Sequence, residues 1–287
     1  MNKVKLITDS CCSLSEEELE KLGVDFVQMS ITVDKEEAPA FEFPIKKQIE
    51  FYEKLKQAES CKTSCVNVQS FLDVFHKYVD QGFDVVYVGL SSGLSCTYNN
   101  AILAADEINS EKGQRVWVAD SLSGSFAIAI MLEKAAKLIS EGKTAEEVFE
   151  AINKNGMKTY TLFIPTDLNF LLKCGRLSKL AASIGSLLKL EPVLTADGEG
   201  KLKTVAKGIG KRRTMKILEN LLLENADMST QERIYIGHTG QEQEAMEVKE
   251  FLEANTTNKE IIVGWIDYTM GCCCGPETLA IFMTGKK

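Results

Sequence analysis

Residues 83–90, Phe-Asp-Val-Val-Tyr-Val-Gly-Leu, form a nearly continuous apolar run that ends in Ser91-Ser92-Gly93-Leu94-Ser95. A strand that is apolar at successive positions has no solvent face, so it belongs in a parallel sheet covered by helices on both sides. Its surroundings fit that demand. Residues 4–9 and 115–119 read as two further strands, and residues 24–33 are rich in β-formers. Between and after them, residues 45–58, 68–81, 97–109, 125–141 and 144–155 repeat apolar side chains at helical spacing. Ser13 or Ser15 is placed to cap an acidic helix that stops at Gly23. Thr144 is placed to cap another, with Glu146 and Glu147 at its positive end. This β-α-β-α order predicts an α/β fold whose first domain is a mostly parallel sheet with helices on both faces.

Beyond Gly156 the pattern changes. A strand at 160–164 leads to a Leu-rich helical stretch at 168–188 and then to paired strands about Ala196-Asp197-Gly198-Glu199-Gly200. Helix, strand (234–238), helix, strand (261–267) and a last strand (279–284) follow. The Asp-Gly turn predicts a hairpin, hence a mixed or antiparallel sheet. The expected domains are 1–157 and 158–287, with a ligand between them.

The chain has 287 residues, 45% of them hydrophobic and 26% charged, with a formal charge of −8. That length is comfortable for two cores, and the acidic balance argues against a nucleic-acid partner. The opening residues run straight into a strand with no signal-peptide pattern. The most apolar run, 126–132, is far shorter than the ~20 residues a membrane-spanning helix needs. A cytoplasmic protein is therefore expected, with no integral membrane segment and at most transient contact with a membrane surface. In a reducing compartment the nine cysteines are expected to be free thiols, metal ligands or redox groups rather than a disulfide framework. Most fit as small apolar replacements for Ser or Thr. The spacing does not match a standard zinc site, and no metal is expected. A redox-sensitive site remains open, because oxidation would add bulk or charge where the cysteines gather.

Three polar loops follow three strands of the first half: Thr8-Asp9-Ser10, Ser91–Ser95 and Asp120–Ser125. Ligands of open parallel sheets bind outside the carboxyl ends of the strands. Hydroxyls and free backbone N–H groups there suit a carboxylate or phosphate. Asp9, Ser10, Gly93, Ser121 and Ser125 are accordingly candidates for the neighbourhood of an anionic head group. Each serine taken alone is also an ordinary cap or turn residue.

Seven segments, in order, carry a family resemblance: LITDSCCSLS at 6–15, CKTSCVN at 61–67, LSSGLSCTYNNA at 90–101, VADSLSGS at 118–125, FLLKCGRLSK at 170–179, LKLEPVL at 188–194 and GCCCGPETLA at 271–280. The chain resembles the DegV family, which includes the fatty-acid-binding subunits of bacterial fatty acid kinase. The resemblance implies two α/β domains enclosing a long-chain fatty acid and no other cofactor. It implies a carboxylate held by Thr63, with Ser64 beside it, and by a serine of the Ser91–Ser95 loop, first Ser92 and second Ser95. Arg176 matches an arginine near the head group. No catalytic residue is implied. The family's role is to present the acid to a separate ATP-dependent kinase subunit, which phosphorylates the carboxylate.

The chain departs from the family pattern in three places. Cys65-Val66-Asn67 stands where Gln-Pro-Ser usually follows Thr-Ser, and Ser95-Cys96-Thr97 replaces Ser-Gly-Thr. Gly271-Cys272-Cys273-Cys274-Gly275-Pro276-Glu277 replaces Gly-Thr-His-Thr-Gly-Pro-Gly. Cys273 thus occupies the place of a head-group histidine. A thiol is a weak donor and no cation, so this departure bears on phosphoryl transfer more than on acid binding, which hydroxyls and a bidentate arginine can still perform.

An esterase is the alternative. Gly89-Leu90-Ser91-Ser92-Gly93 matches G-x-S-x-G between a strand and a helix, and His238 follows in the order a hydrolase uses. No HGGG-type segment precedes it, and of the two histidines His76 lies mid-helix and His238 ends a strand. For the acyl tail, Leu168, Phe170, Leu171, Leu172, Leu177, Leu180, Ile184, Leu187 and Leu188 lie close to Arg176. Burial at ~0.8 kcal/mol per CH₂ would dominate affinity. The basic run from Lys207 through Lys211, Arg212 and Arg213 to Lys216 reads either as a solvated helix start or as a dock for a kinase partner.

Overall fold

A computed structural model of the chain describes residues 3–40, 45–153, 158–176, 190–258 and 260–286. The two central apolar runs pair as neighbours: β1 (Val4–Asp9) lies parallel to β6 (Asp84–Gly89). On the other side of β1 is β2 (Val24–Val27), and beyond β6 is β7 (Val116–Asp120), all parallel. The order β2-β1-β6-β7 means that the chain leaves β1 and β6 in opposite directions. Right-handed crossovers then place α1 (Glu16–Leu22) and α4 (Thr97–Lys112) on opposite faces, and β1/β6 is the topological switch point. Helix α3 (Val68–Val79) packs beside α4, while α5 (Phe126–Ser140) and α6 (Ala145–Ile152) pack together on the α1 side. Local chemistry fixes the helix starts. Ser15 with Glu18, and Thr144 with Glu147, form reciprocal capping boxes, and Gly23 closes α1 in the left-handed region at φ 67°.

The β-rich residues 24–33 are not one strand. After β2 the chain turns at Gln28-Met29, where the Met29 N–H donates to Ser10 Oγ at 3.0 Å. It then enters a second, antiparallel sheet of order β4-β3-β5, made of β3 (Ser30–Val33), β4 (Glu36–Pro39) and β5 (Cys61–Ser64). Helix α2 (Ile45–Gln57) connects β4 to β5.

The six-stranded sheet has order β10-β9-β8-β13-β11-β12. It comprises β8 (Thr159–Ile164), β9 (Glu191–Ala196), β10 (Leu202–Gly208), β11 (Ile234–His238), β12 (Ile261–Trp265) and β13 (Leu279–Thr284). Only β11 and β12 pair in parallel, so the sheet is mixed; β9 and β10 form the expected hairpin about Asp197-Gly198. The helical stretch expected at 168–188 is α7 (Leu168–Lys173), ended by a turn at 174–176; Leu177, Leu180, Ile184, Leu187 and Leu188 lie outside the described residues, as does Gly156. The strand expected at 261–267 stops at Trp265 because Asp267 caps a helix, its Oδ1 accepting from the Met270 N–H.

Strand alternation sends the sheet's side chains two ways. Leu279, Ile281 and Met283 of β13, with Ile234 and Ile236 of β11, pack against α8 (Lys211–Asn225) and α9 (Glu242–Asn255) through Leu218, Leu222, Val248 and Leu252. Ala280, Phe282 and Tyr235 face the other way and join the core of the first half. There α5 is shared between the sheets: Phe126 stacks on Tyr235 at 4.7 Å and meets Phe282 edge-on at 5.8 Å. Helix α10 (Tyr268–Cys274), from the second half, packs on α2, β3 and β5 of the first. Tyr52 Oη donates to the Ile266 carbonyl at 2.7 Å, and Phe51 stacks on Tyr268 at 4.1 Å. Among the described residues no helix is long and apolar enough to cross a membrane.

Candidate functional site

Where the two sheets face each other beyond the carboxyl end of β6, a cavity opens. It holds about 820 Å³ of space not occupied by atoms, part of it open to solvent. Thr161, Phe163, Ala196, Leu202, Ala280 and Phe282 form one wall. Leu90, Leu94, Ser95, Ser123, Gly124 and Ser125, from the loops after β6 and β7, form the opposite one. Met29, Leu171, Ile266, Met270 and Cys274 complete an interior that is chiefly apolar, which is the composition of a site for an apolar ligand with one polar end.

Among the residues that line the cavity, Thr63, Ser95 and Arg176 offer groups that could hold an anion. Thr63 is held by antiparallel pairing of β5 with β3, opposite Ile31, and its hydroxyl makes no hydrogen bond to another described residue. Ser95 Oγ donates to Thr97 Oγ1 at 2.9 Å and accepts from the Thr97 N–H at 3.2 Å. Hydroxyl protons rotate, so Thr97 can donate to Ser95 while Ser95 turns its proton towards an anion. Arg176 reaches across from the α7 turn. Its Nε donates to the Leu94 carbonyl at 2.9 Å and Nη1 donates to the Cys174 carbonyl, both neutral acceptors, and among the described residues no carboxylate pairs with it. Cys273, in the place of the family histidine, also lines the cavity.

A second polar strip lies along the wall. Ser125 Oγ is 2.7 Å from Ser13 Oγ, and Ser13 Oγ donates to Asp267 Oδ2 at 2.7 Å. The Asp267 carboxyl is buried, and burial pushes it up to about 7 despite bonds from the Met270 N–H and Ser13. Ser125 has φ 56° and ψ −137°, a strained conformation for a residue with a Cβ. Buried Thr269 Oγ1, on the same wall, has no hydrogen-bond partner. Ser13, Asp267 and Thr269 were not identified from the sequence. The available signal was Asp267 three residues before Met270, an N-cap spacing.

The other expected head-group residues do not line the cavity. Asp9 is fully buried: its carboxylate accepts from the Cys11 and Leu90 N–H groups at 2.9 and 2.8 Å and from Tyr87 Oη at 2.7 Å, with burial raising its pKa. It fastens the switch point. Ser10 accepts from Met29, as above, and Ser121 Oγ donates to the Ser123 carbonyl at 2.9 Å, so both hold turns. Ser92 is exposed, and its N–H donates to Asp120 Oδ1 at 3.2 Å; Ser95 is the serine of that loop that faces the cavity. Ser64, paired with Ser30, is exposed. Gly93 serves a close approach: a Cβ there would sit 2.4 Å from the Glu199 carbonyl oxygen of the β9–β10 turn. The same turn is fastened by Ser91 Oγ, which donates to the Gly200 carbonyl at 3.0 Å.

That bond also bears on the esterase alternative. Ser91 is fully buried with its hydroxyl committed to Gly200. His238 Nδ1 accepts from the Gly240 N–H at 3.3 Å, and its ring packs on Trp265 at 4.7 Å, so the two do not form a nucleophile–base pair. His76 lies in α3 beside Asp80 at 3.5 Å.

The cysteines correct the expectation that no disulfide forms: Cys61 of β5 is bonded to Cys272 of α10, with Cα atoms 5.5 Å apart. Cys96 Sγ lies 2.6 Å from Cys65 Sγ. A hydrogen bond from the Cys273 thiol, aided by Arg176, pulls Cys174 down to about 7, while Cys273 is pushed well up by the same contact. Among the described residues no group of three or more His, Cys, Asp or Glu side chains is arranged to hold a metal ion.

The architecture is that of an α/β protein with three sheets and a chiefly apolar cavity between the four- and six-stranded ones, with a few polar groups in its lining. A DegV domain-containing protein of Clostridium acetobutylicum is 30% identical over 99% of this chain and 98% of its own length. A fatty-acid-binding DegV family protein of Thermus thermophilus superposes with a TM-score of 0.86 at 25% identity, covering 100% of both chains. The fold is also that of a fatty acid kinase B3 protein of Streptococcus pneumoniae loaded with linoleic acid: TM-score 0.83, 22% identity, 99% of this chain and 100% of the other. Residues 3–286 match the family model described as "Uncharacterised protein, DegV family". The chain belongs to the DegV family.

Proposed function

We propose that the cavity binds one long-chain fatty acid, with its carboxylate at Thr63, Ser95 and Arg176 and its chain running along Leu90, Phe163, Leu171, Met270 and Phe282. What supports this reading is a chiefly apolar cavity whose lining includes, among the described residues, one unbonded hydroxyl, one rotatable hydroxyl and one arginine without an anionic partner. The fatty-acid-binding family member of Thermus thermophilus supports it. Residues 1–157 and 158–287 act as two domains that each contribute a wall. The protein carries the acid without transforming it.

Removing both hydroxyls tests the head group. Thr63→Ala with Ser95→Ala is expected to weaken binding by roughly 1.5–3 kcal/mol per lost bond to the charged carboxylate, read by displacement of a fluorescent fatty acid. Unchanged affinity would put the carboxylate elsewhere.

The finer role is presentation of the acid to an ATP-dependent kinase subunit, supported by the ordered family motifs. The exposed Lys207, Lys211, Arg212, Arg213 and Lys216 about the start of α8 supply a basic surface for it, although Lys211 is paired with Glu244. Incubation of the loaded protein with such a subunit and ATP should yield acyl phosphate. Its absence, with the lipid still bound, would limit this protein to carriage.

A further inference from the structure

Six of the nine cysteines form three pairs on or beside segments that line the cavity, and each pair joins different segments of the chain. Cys61–Cys272 ties β5 to α10 across 211 residues of sequence. Cys174–Cys273 brings the α7 turn, which carries Arg176, against α10. In sequence, Cys65 and Cys96 follow the two residues proposed to hold the head group, two residues after Thr63 and one after Ser95. Replacement of Ser or Thr by a small apolar side chain accounts for Cys11 and Cys12, which are buried. It does not account for Cys65 and Cys96, which are exposed with Sγ atoms 2.6 Å apart. Their segments are already in register: the Val66 N–H donates to Thr97 Oγ1 at 3.4 Å, and Asn100 Nδ2 donates to the Val66 carbonyl at 2.7 Å. Thiol–disulfide exchange there needs access and two aligned sulfurs, and both are present.

We propose that Cys65 and Cys96 form a reversible dithiol–disulfide clasp beside the cavity, closed by a low-molecular-weight disulfide, and that the closed clasp slows exchange of the bound fatty acid. The second half rests on the fatty-acid reading of the cavity. One cysteine thiolate attacks a sulfur of the external disulfide and expels one thiolate, leaving a mixed disulfide. The other cysteine then attacks the protein sulfur of that bond and expels the second. The two cysteines lose two protons and two electrons, and the external disulfide becomes two thiols. The covalent link joins the segment after Thr63 to the segment after Ser95, so neither can swing away from the cavity while the other stays.

The test uses the full chain equilibrated in reduced and oxidised glutathione at graded ratios. Disulfides are mapped by alkylation and peptide mass spectrometry, and release of a fluorescent long-chain fatty acid is timed in parallel. A Cys65–Cys96 cross-linked peptide should appear on oxidation, with release slowed about tenfold or more, as a cross-link raises the cost of local opening. Cys65→Ser and Cys96→Ser should each abolish the redox dependence while keeping the reduced protein's release rate; Cys61→Ser should retain it. No cross-linked peptide at any ratio, or a cross-link with unchanged release, overturns the clasp. Failure of the reduced wild type to take up the probe instead overturns the fatty-acid reading, and with it control of exchange, while the peptide map still reports whether the clasp closes.

Discussion

Adjacent residues of one strand meet opposite fates in the six-stranded sheet. On the face turned to α8 and α9, Leu162, Ile236, Ile281 and Met283 interlock with Leu218, Leu222, Val248 and Leu252 in a fully buried layer. On the other face, one residue along, Thr161, Ala196, Ala280 and Phe282 meet an open cavity. The two faces share one backbone and differ in what covers them: helices α8 and α9 on one, the loops after β6 and β7 across the cavity on the other. A close-packed face contributes stability through every methylene. The cavity face forgoes part of those contacts, so an apolar ligand can supply them. Small side chains such as Ala196 and Ala280 line that space beside Phe163 and Phe282, so the sheet as well as the loops shapes the candidate site.

Two substitutions in one strand break this comparison directly. Ile281→Ala should cost about 2–5 kcal/mol of stability, as for other buried large-to-small changes, with fatty acid affinity retained in the folded fraction; denaturant unfolding with and without ligand checks it. Ala280→Leu fills the cavity instead. It should weaken fatty acid binding tenfold or more, at least about 1.4 kcal/mol, at a smaller cost in stability. If the two variants behaved alike, the two faces would not be functionally distinct.

The polar strip of the cavity wall gives a smaller, pH-dependent effect. Asp267 is raised from 3.8 to about 7 by burial, so the folded protein holds a proton there that the unfolded chain has lost. Its contribution favours the fold at low pH and is lost as pH rises from about 4 to 7, with a slope of at most about 1.4 kcal/mol per pH unit. Asp267→Asn keeps an N-cap acceptor for Met270 and removes the charge, so its stability relative to wild type should climb across that window. A difference that is flat with pH would show that Asp267 is ionised throughout.

The parallel core was legible because its determinants are local: a strand-like run at 4–9, a nearly continuous apolar run at 83–90, and helix caps at Ser13 or Ser15, of which the structure uses Ser15, and at Thr144. The break at Gln28-Met29 was not, since β3 takes one of its partners from β5, with paired residues 28 to 34 positions apart. Helix α10 was missed because Gly271 through Gly275 shows no helical period, and its stability comes from Asp267 and from packing on α2, β3 and β5. In the candidate site, the Ser91–Ser95 loop was located correctly from its position after an apolar strand. Which serine faces inward depends on the turn, in which the Ser92 N–H is drawn to Asp120 and Ser95 folds back on Thr97. The cysteine pairs join positions as far as 211 residues apart, and no spacing rule reveals them.

Native mass spectrometry of the purified wild type and Ala280→Leu proteins, followed by solvent extraction, tests the central claim most directly. The wild type should carry, or take up from solution, the mass of one long-chain fatty acid that extraction recovers, and the filled variant should carry little or none. A wild-type protein that binds no fatty acid, either as purified or after addition, would contradict it.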